Sequence, residues 1–114
     1  MIKITIYKTK DQDYTGFHIE GHAGFAESGN DIVCAAVSIL VINTINSIER
    51  LTNDETSCIQ DEEKGIIKYS FNNSISHDAS ILIQSMIFGL QDIADDENYN
   101  GKFNSCIDIT IEEV

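Results

Sequence analysis

Residues 32–51 read IVCAAVSILVINTINSIERL, and this stretch decides the fold. Its apolar side chains recur three or four residues apart, which predicts a helix. The stretch is apolar on most sides at its start and amphipathic later, as is typical of a helix whose front end is buried in a core. Asn30 or Asp31 supplies an N-cap, so the helix is predicted to begin just before Cys34. The recurring positions are Val37, Leu40, Val41, Ile45 and Ile48.

Alternating apolar and polar residues predict strands on both sides of this helix. The turn-like segments DQD and DEEKG each separate two such strands, which predicts two β-hairpins. The order β-β-α-β-β-α-β predicts one α+β domain over residues 1–114, a largely antiparallel or mixed sheet packed by two helices. In chain order the predicted elements are strands at 2–8 and 14–21, the helix at 32–51, strands at 56–60 and 66–71, a helix at 76–96 capped by Ser76 or Asp78, and a strand within 104–114.

The composition is that of an ordinary globular domain with an acidic excess. The chain carries 19 acidic and 7 basic residues, a formal net charge of −12. Because phosphate contacts need clustered Lys and Arg, direct nucleic-acid binding is not expected. The excess charge indicates either a solvated surface or a field that attracts a basic partner.

The start of the chain does not resemble a signal peptide, because MIKITIYKTK alternates and lacks a continuous apolar region. The longest apolar run, within IVCAAVSILVI, is too short for a membrane span. We therefore expect a cytoplasmic protein with no membrane partner.

The three cysteines, Cys34, Cys58 and Cys106, are widely spaced and form no CxxC pair. In a reducing compartment they are expected to be free thiols, and their spacing contains no zinc framework. Cys58 and Cys106 fall in predicted strands and are interpreted as small core residues.

Residues 21–38, GHAGFAESGNDIVCAAVS, combine the ingredients of a cysteine nucleophile. Unpaired N–H groups and the dipole at a helix N-terminus stabilise a thiolate, and Cys34 is predicted in the first turn of the long helix. The same N–H groups can hold an oxyanion that develops on a substrate carbonyl. His22 ends the second strand, and the intervening loop can bring its imidazole to Cys34. The structural alternatives are a buried free cysteine and a turn histidine. The predicted substrate loop, whose glycines permit left-handed turns, comprises Gly21, Ala23, Gly24 and Gly29.

Three neighbouring residues have competing interpretations. Asp31 orients His22 as the third member of a triad, or it only caps the helix. Ser38 follows Cys34 by four residues on the same helical face, and it hydrogen-bonds within the site or back to the backbone. His18 precedes His22 by four residues, so a metal site of His18, His22 and Cys34 is an alternative.

The run GHAGFAESGNDIVCAAVS resembles the signature of the ribosomal-processing cysteine proteases of Firmicutes and related bacteria. Length, acidic balance and element order are also similar to that family. The resemblance implies that Cys34 is the nucleophile and His22 the general base and acid, acting through an acyl-enzyme without a metal or organic cofactor. The matching positions are Gly21, His22, Ala23, Gly29, Asp31, Val33, Cys34, Ala35 and Ser38.

The resemblance also implies a substrate. Members of this family remove a short N-terminal extension from the precursor of ribosomal protein L twenty-seven, cutting after an apolar segment rich in aromatic residues, and they are usually homodimers. The expected partner is a basic polypeptide, which suits an acidic enzyme. The alternative is a non-catalytic acidic module that binds a ribosomal protein or assembly factor, and a third hypothesis is a redox sensor built on Cys34.

Overall fold

The computed structural model describes residues 2–21, 28–95 and 107–114, and of residues 28–31 it describes the backbone only. The elements follow the predicted order. The side chain of Ser76, one of the two predicted caps of the second helix, accepts the N–H of Ala79 at 3.1 Å. The elements are β1 (Ile2–Lys8), β2 (Tyr14–Glu20), α1 (Ser28–Leu51), β3 (Thr56–Asp61), β4 (Ile66–Phe71), α2 (His77–Ala94) and β5 (Ile107–Glu113).

The strands form one mixed five-stranded sheet in the order β3-β4-β2-β1-β5. Two antiparallel hairpins, β1–β2 and β3–β4, are joined by antiparallel pairing of β2 with β4. β5 pairs in parallel with β1, with Ile107 beside Ile2. The predicted α+β architecture is confirmed, and within the described residues β3 and β5 are the edges of the sheet.

One face of the sheet is apolar and carries both helices. The strand register places Ile4 beside Ile19 and Phe17 beside Tyr69, and all four side chains are buried against the helices. Burial of apolar surface is the main favourable term in folding, so this single layer of helices on one sheet face holds the fold together. The buried stripe of α1 is Val33, Val37, Val41, Ile45 and Ile48, and that of α2 is Ala79, Ile83, Met86, Ile87, Leu90 and Ala94.

Helix α1 begins at Ser28, earlier than the sequence predicted. The prediction of Asn30 or Asp31 as the N-cap is therefore wrong, because both lie inside the helical backbone. No proline interrupts this segment, and the helix dipole favours an acidic residue in the first turn, so the helix extends back to Ser28. Gly29 accordingly belongs to the helix and not to the predicted loop. Cys34 is the seventh residue of α1, counting Ser28 as the first, and lies in the second turn instead of the predicted first turn.

The start of α1 is not buried on most sides, contrary to the prediction. Ile32 and Ile39 are 61% and 69% exposed, since only one side of the helix contacts the core. The segment Ile32–Leu51, with a mean hydropathy of 1.8, is long and apolar enough to cross a membrane. The run IVCAAVSILVI within it, on which the sequence analysis was based, is too short to do so. About a third of an 18-residue apolar stretch within the segment Ile32–Leu51 is buried in the fold.

The predicted burial of Cys58 is also wrong. Cys58 is exposed because β3 is an edge strand with a neighbour on one side only among the described residues. Cys106, the other cysteine predicted in the core, lies outside the described residues.

Candidate active site

Helix α1 places Cys34 at the wall of a cavity. The thiol is free, half-buried and packed against the edge of the apolar core. The cavity has a volume of about 400 Å³ and lies between α1, the start of β1, the end of β2 and the turn of the β3–β4 hairpin. A thiol at a cavity wall can meet a ligand, so Cys34 is not the enclosed core cysteine of the structural alternative.

The wall of this cavity is mostly apolar, with polar groups supplied chiefly by the β3–β4 hairpin. Apolar cavities with a few polar groups are the usual form of a ligand site in proteins. The apolar lining residues are Ile2, Ile19, Val37, Val41, Ile42, Ile66 and Ile67, and the polar side chains are Ser38, Gln60, Asp61 and Glu62.

Gly21 ties the end of β2 to this hairpin. Its φ of 97° lies in the left-handed region that favours glycine, so Gly21 uses the conformational freedom that the sequence analysis attributed to it. The N–H of Gly21 donates to the carbonyl of Gly65 at 3.1 Å. Since His22 follows directly in the chain, this bond fixes the point from which the His22 segment departs.

Ser38 joins Cys34 at the cavity. It is exposed and lies one helical turn beyond Cys34 on α1, and both residues line the same cavity. The structure thus brings together two of the predicted site residues, Cys34 and Ser38, with Gly21 beside them.

The remaining predicted site residues lie outside the description. His22, Ala23 and Gly24 fall in the segment 22–27, and the side chain of Asp31 falls in the segment whose backbone alone is described. The roles of His22 as general base and acid and of Asp31 as an orienting residue therefore stay predictions.

His18 does not join the site. Side chains alternate along β2, and His18 lies on the sheet face opposite the helices, with its Nε2 3.8 Å from Oε2 of Glu20. Cys34 lies on the helical side, so the alternative metal site of His18, His22 and Cys34 is wrong. In the described ranges no group of three or more His, Cys, Asp or Glu side chains is arranged to hold a metal ion.

Cys58 is a weaker candidate for a nucleophile than its exposure suggests. Partial burial raises the pKa of its thiol, against the effect of a hydrogen bond from Gln60, and the charge of Glu49 raises it further. The thiolate is the reactive form, so a raised pKa leaves less of it at neutral pH.

The sequence analysis missed the contribution of the β3–β4 hairpin to the site. Gln60, Asp61 and Glu62 line the cavity together with Gly65. The segment DEEKG predicted a turn, but a turn signal carries no information about which distant helix the turn will face. The bond between Gly21 and Gly65 is a tertiary contact with no local signal.

Comparison with known proteins identifies the kind of enzyme. The family described as "Cysteine protease Prp" matches residues 1–102. The ribosomal processing cysteine protease Prp of Bacillus subtilis is 34% identical over 104 residues, covering 88% of this chain and 93% of the relative. The protein of the same name from Staphylococcus aureus is 29% identical over 104 residues, covering 91% and 98%.

Crystal structures of the Staphylococcus aureus ribosomal processing protease Prp share the fold. The complex with a covalently linked product peptide has a TM-score of 0.85 at 26% identity, covering 98% of this chain and 100% of that one. The complex with a substrate peptide has a TM-score of 0.86 at 25% identity and the same coverage. The fold is thus the one that these cysteine proteases have. The chain belongs to the Prp family of ribosomal-processing cysteine proteases.

Proposed function

We propose that this protease removes the N-terminal extension of the precursor of ribosomal protein L twenty-seven, with Cys34 as the nucleophile and His22 as the general base and acid. The observation that carries the proposal is the half-buried Cys34 thiol at the wall of a cavity of about 400 Å³. Family membership supports the type of reaction, and the cavity provides room for a polypeptide at the sulfur.

In the proposed reaction His22 accepts the proton of the Cys34 thiol, and Sγ attacks the scissile carbonyl carbon. A C–S bond forms, the C–N bond breaks, and the leaving amine takes the proton from His22. Water then gives a proton to His22 and attacks the thioester carbon. The C–S bond breaks, and the proton returns to Sγ. The covalently linked product peptide of the Staphylococcus aureus protein supports an acyl-enzyme of this kind.

The N-terminus of α1 supports stabilisation of negative charge at the site, but Cys34 lies further along the helix than the sequence predicted. The first four amides of a helix lack partners inside it, and here they belong to residues 28–31. Cys34 lies about one turn further along, so its own N–H is within the helical ladder. We therefore assign anion stabilisation to the amides before Cys34 and the helix dipole, and not to the amide of Cys34.

The cavity wall and the net charge support the proposed substrate. Apolar residues from the sheet and α1 would bury the apolar segment that precedes the scissile bond. A formal charge of −12 would attract a basic ribosomal protein. We further propose a homodimer located in the cytoplasm that does not bind nucleic acid directly, which light scattering and nucleic-acid titration would test.

The deciding experiment incubates the purified protein with the full-length precursor and follows the mass of the products. We expect the wild type to shorten the precursor, and Cys34→Ala and His22→Ala each to lower kcat by at least about a hundredfold, the usual scale for loss of an acid–base or nucleophilic group. Equal trimming by wild type and Cys34→Ala would refute the nucleophile, and full activity of His22→Ala would refute the general base.

A peptide chloromethyl ketone provides an independent measurement on the wild type. The adduct is expected on Cys34 after proteolytic mapping, and not on the more exposed Cys58. Stable binding of the precursor with no change of mass would instead support the acidic binding module.

A further inference from the structure

β3 lacks the usual protection of an edge strand. Among the described residues it pairs only with β4, in a register with no bulge. Its sequence, TSCIQD, contains no Lys, Arg or Pro, and its single charge is at the last position. Edge strands are normally protected by charges, proline or bulges, because their free N–H and C=O groups attract another strand. Ile59, at the middle of β3, is 63% exposed.

This edge leads to the Cys34 cavity. Gln60 and Asp61, at the end of β3, line the cavity together with Ser38 and Ile42 of α1. Ile42 is partly exposed, so apolar surface continues from the cavity to the outside of the molecule. An extended chain paired with β3 would therefore pass beside Gln60 and Asp61, which border the cavity.

The charges around β3 indicate which kind of chain could pair with its edge. Acidic residues flank both ends of the strand, and the segment 32–48 of α1 beside it carries no charge. If two copies paired β3 with β3 antiparallel, the acidic end of one would lie against the acidic end of the other, which is unfavourable. An extended peptide with apolar residues at its centre and a basic flank complements both features. The flanking acidic residues are Asp54, Glu55, Asp61, Glu62 and Glu63.

We propose that the substrate polypeptide adds to the free edge of β3 as a further strand, with its apolar segment leading into the cavity and its basic flank beside the acidic end of the β3–β4 hairpin. This inference rests on the proposed function and specifies how the substrate is held. Addition of an extended peptide to a sheet edge binds through the main chain, and side chains add specificity at alternate positions.

The ladder between β3 and β4 shows which backbone groups are free. The N–H of Asn72 donates to the carbonyl of Glu55 at 2.9 Å. Hydrogen-bonding groups alternate along an antiparallel pair, so the backbone of Ser57 and Ile59 faces β4. The backbone N–H and C=O groups of Thr56, Cys58 and Gln60 consequently face away from β4, on the side where no other described strand pairs with β3.

The first test uses Cys34→Ala to hold the substrate uncut. A fluorescent peptide carrying the apolar segment and basic continuation of the precursor is methylated at one backbone nitrogen at a time, and affinity is measured by anisotropy. We expect methyl groups at alternate positions to weaken binding about fivefold or more, the scale of one lost hydrogen bond, with the intervening positions changed less than about twofold. An effect without this two-residue period, or no binding of the parent peptide, would overturn the proposal.

The second test uses charge. Glu63→Lys, at an exposed acidic position of the β3–β4 turn that does not line the cavity, is expected to raise KM severalfold for a peptide with a basic flank, leaving kcat within about twofold. It is expected to leave KM unchanged for a peptide with a neutral flank. Glu112→Lys, on the opposite edge strand, makes the same change in net charge and is the matched control. Equal effects of the two variants would contradict docking at β3. If the wild type does not cut the parent peptide at all, the proposal that this precursor is the substrate is refuted. Docking at β3 is tested separately, by whether the effect of backbone methylation on affinity repeats every two residues.

Discussion

Asp54 joins three parts of the fold through its side chain and its backbone N–H. Its Oδ2 accepts the N–H of Ser76 at 2.8 Å, and Ser76 in turn caps α2. The N–H of Asp54 donates to Oγ1 of Thr52 at 3.2 Å, just after α1. Burial alone raises the pKa of the Asp54 carboxyl, but hydrogen bonds from Ser76 and Thr52 outweigh it and hold that pKa below its ordinary value of 3.8.

A lowered pKa in the folded state predicts how Asp54 affects stability. The carboxylate stabilises the protein above the unfolded-state pKa, and this contribution is lost as the pH falls through the lower, folded-state pKa. Asp54→Asn is therefore expected to lower the free energy of unfolding at pH 7 by about 1 kcal/mol, the scale of one lost hydrogen bond. The difference from the wild type should shrink at pH values below 3.8.

Urea unfolding of both proteins across this pH range measures the effect. Other carboxylates titrate equally in the two proteins, so the difference isolates Asp54. A difference that stays constant down to the lowest pH would show that Asp54 acts through its shape and not its charge.

At the scale of elements, the pairing of β2 with β4 depends on Gly16. A methyl group at Gly16 would overlap the carbonyl oxygen of Tyr69, which is fixed in the middle of β4. Gly89 of α2 is also in a close contact, but its neighbours are the terminal methyl groups of Leu40, at 3.0 and 3.1 Å. A flexible side chain can move by a few tenths of an ångström, whereas a strand backbone in the centre of a sheet cannot.

We therefore expect Gly16→Ala to lower the free energy of unfolding by about 2 kcal/mol or more, within the range for overpacked sites. Gly89→Ala should change it by less than about 1 kcal/mol, because the higher helix propensity of alanine offsets the displacement of Leu40. Guanidinium unfolding of the two variants gives the comparison. Similar losses in both would mean that the central strands can separate as readily as a side chain moves.

The elements were predictable to the extent that their signals are local. Alternation marked the strands, and the spacing of Val37, Val41, Ile45 and Ile48 marked the buried stripe of α1, because burial of one face leaves its period in the sequence. The start of α1 at Ser28 was missed because Asn30 and Asp31 are acceptable both as caps and within a first turn.

Features that depend on tertiary arrangement were not predictable in the same way. Cys58 has the same alternating pattern as a core residue, and only the strand order makes β3 an edge. The motif indicated Cys34 and Ser38 directly. Gln60 and Glu62 reach the same cavity only because the hairpin folds back against Gly21, and no pattern within the hairpin specifies that contact.

At the scale of the whole molecule, the formal charge of −12 has a measurable kinetic consequence. A field of one sign accelerates encounter with an oppositely charged partner, and salt screens it because the Debye length falls to about 3 Å at 1 M ionic strength. The segment 32–48, which carries Cys34, is uncharged, and the acidic side chains of the cavity wall, Asp61 and Glu62, belong to the β3–β4 hairpin. We therefore expect the net charge to act mainly on the approach of the substrate.

We expect kcat/KM for the basic precursor to fall by about tenfold as ionic strength rises from about 0.05 to 0.5 M, with kcat nearly unchanged, since salt weakens encounter and leaves the bound state largely intact. A short neutral peptide cut at the same bond is the control, and its kcat/KM should change by less than about twofold. Initial rates over a salt series measure both substrates under one set of conditions. If both substrates lose activity in parallel, salt acts on the enzyme itself, and the acidic excess is only a solvated surface.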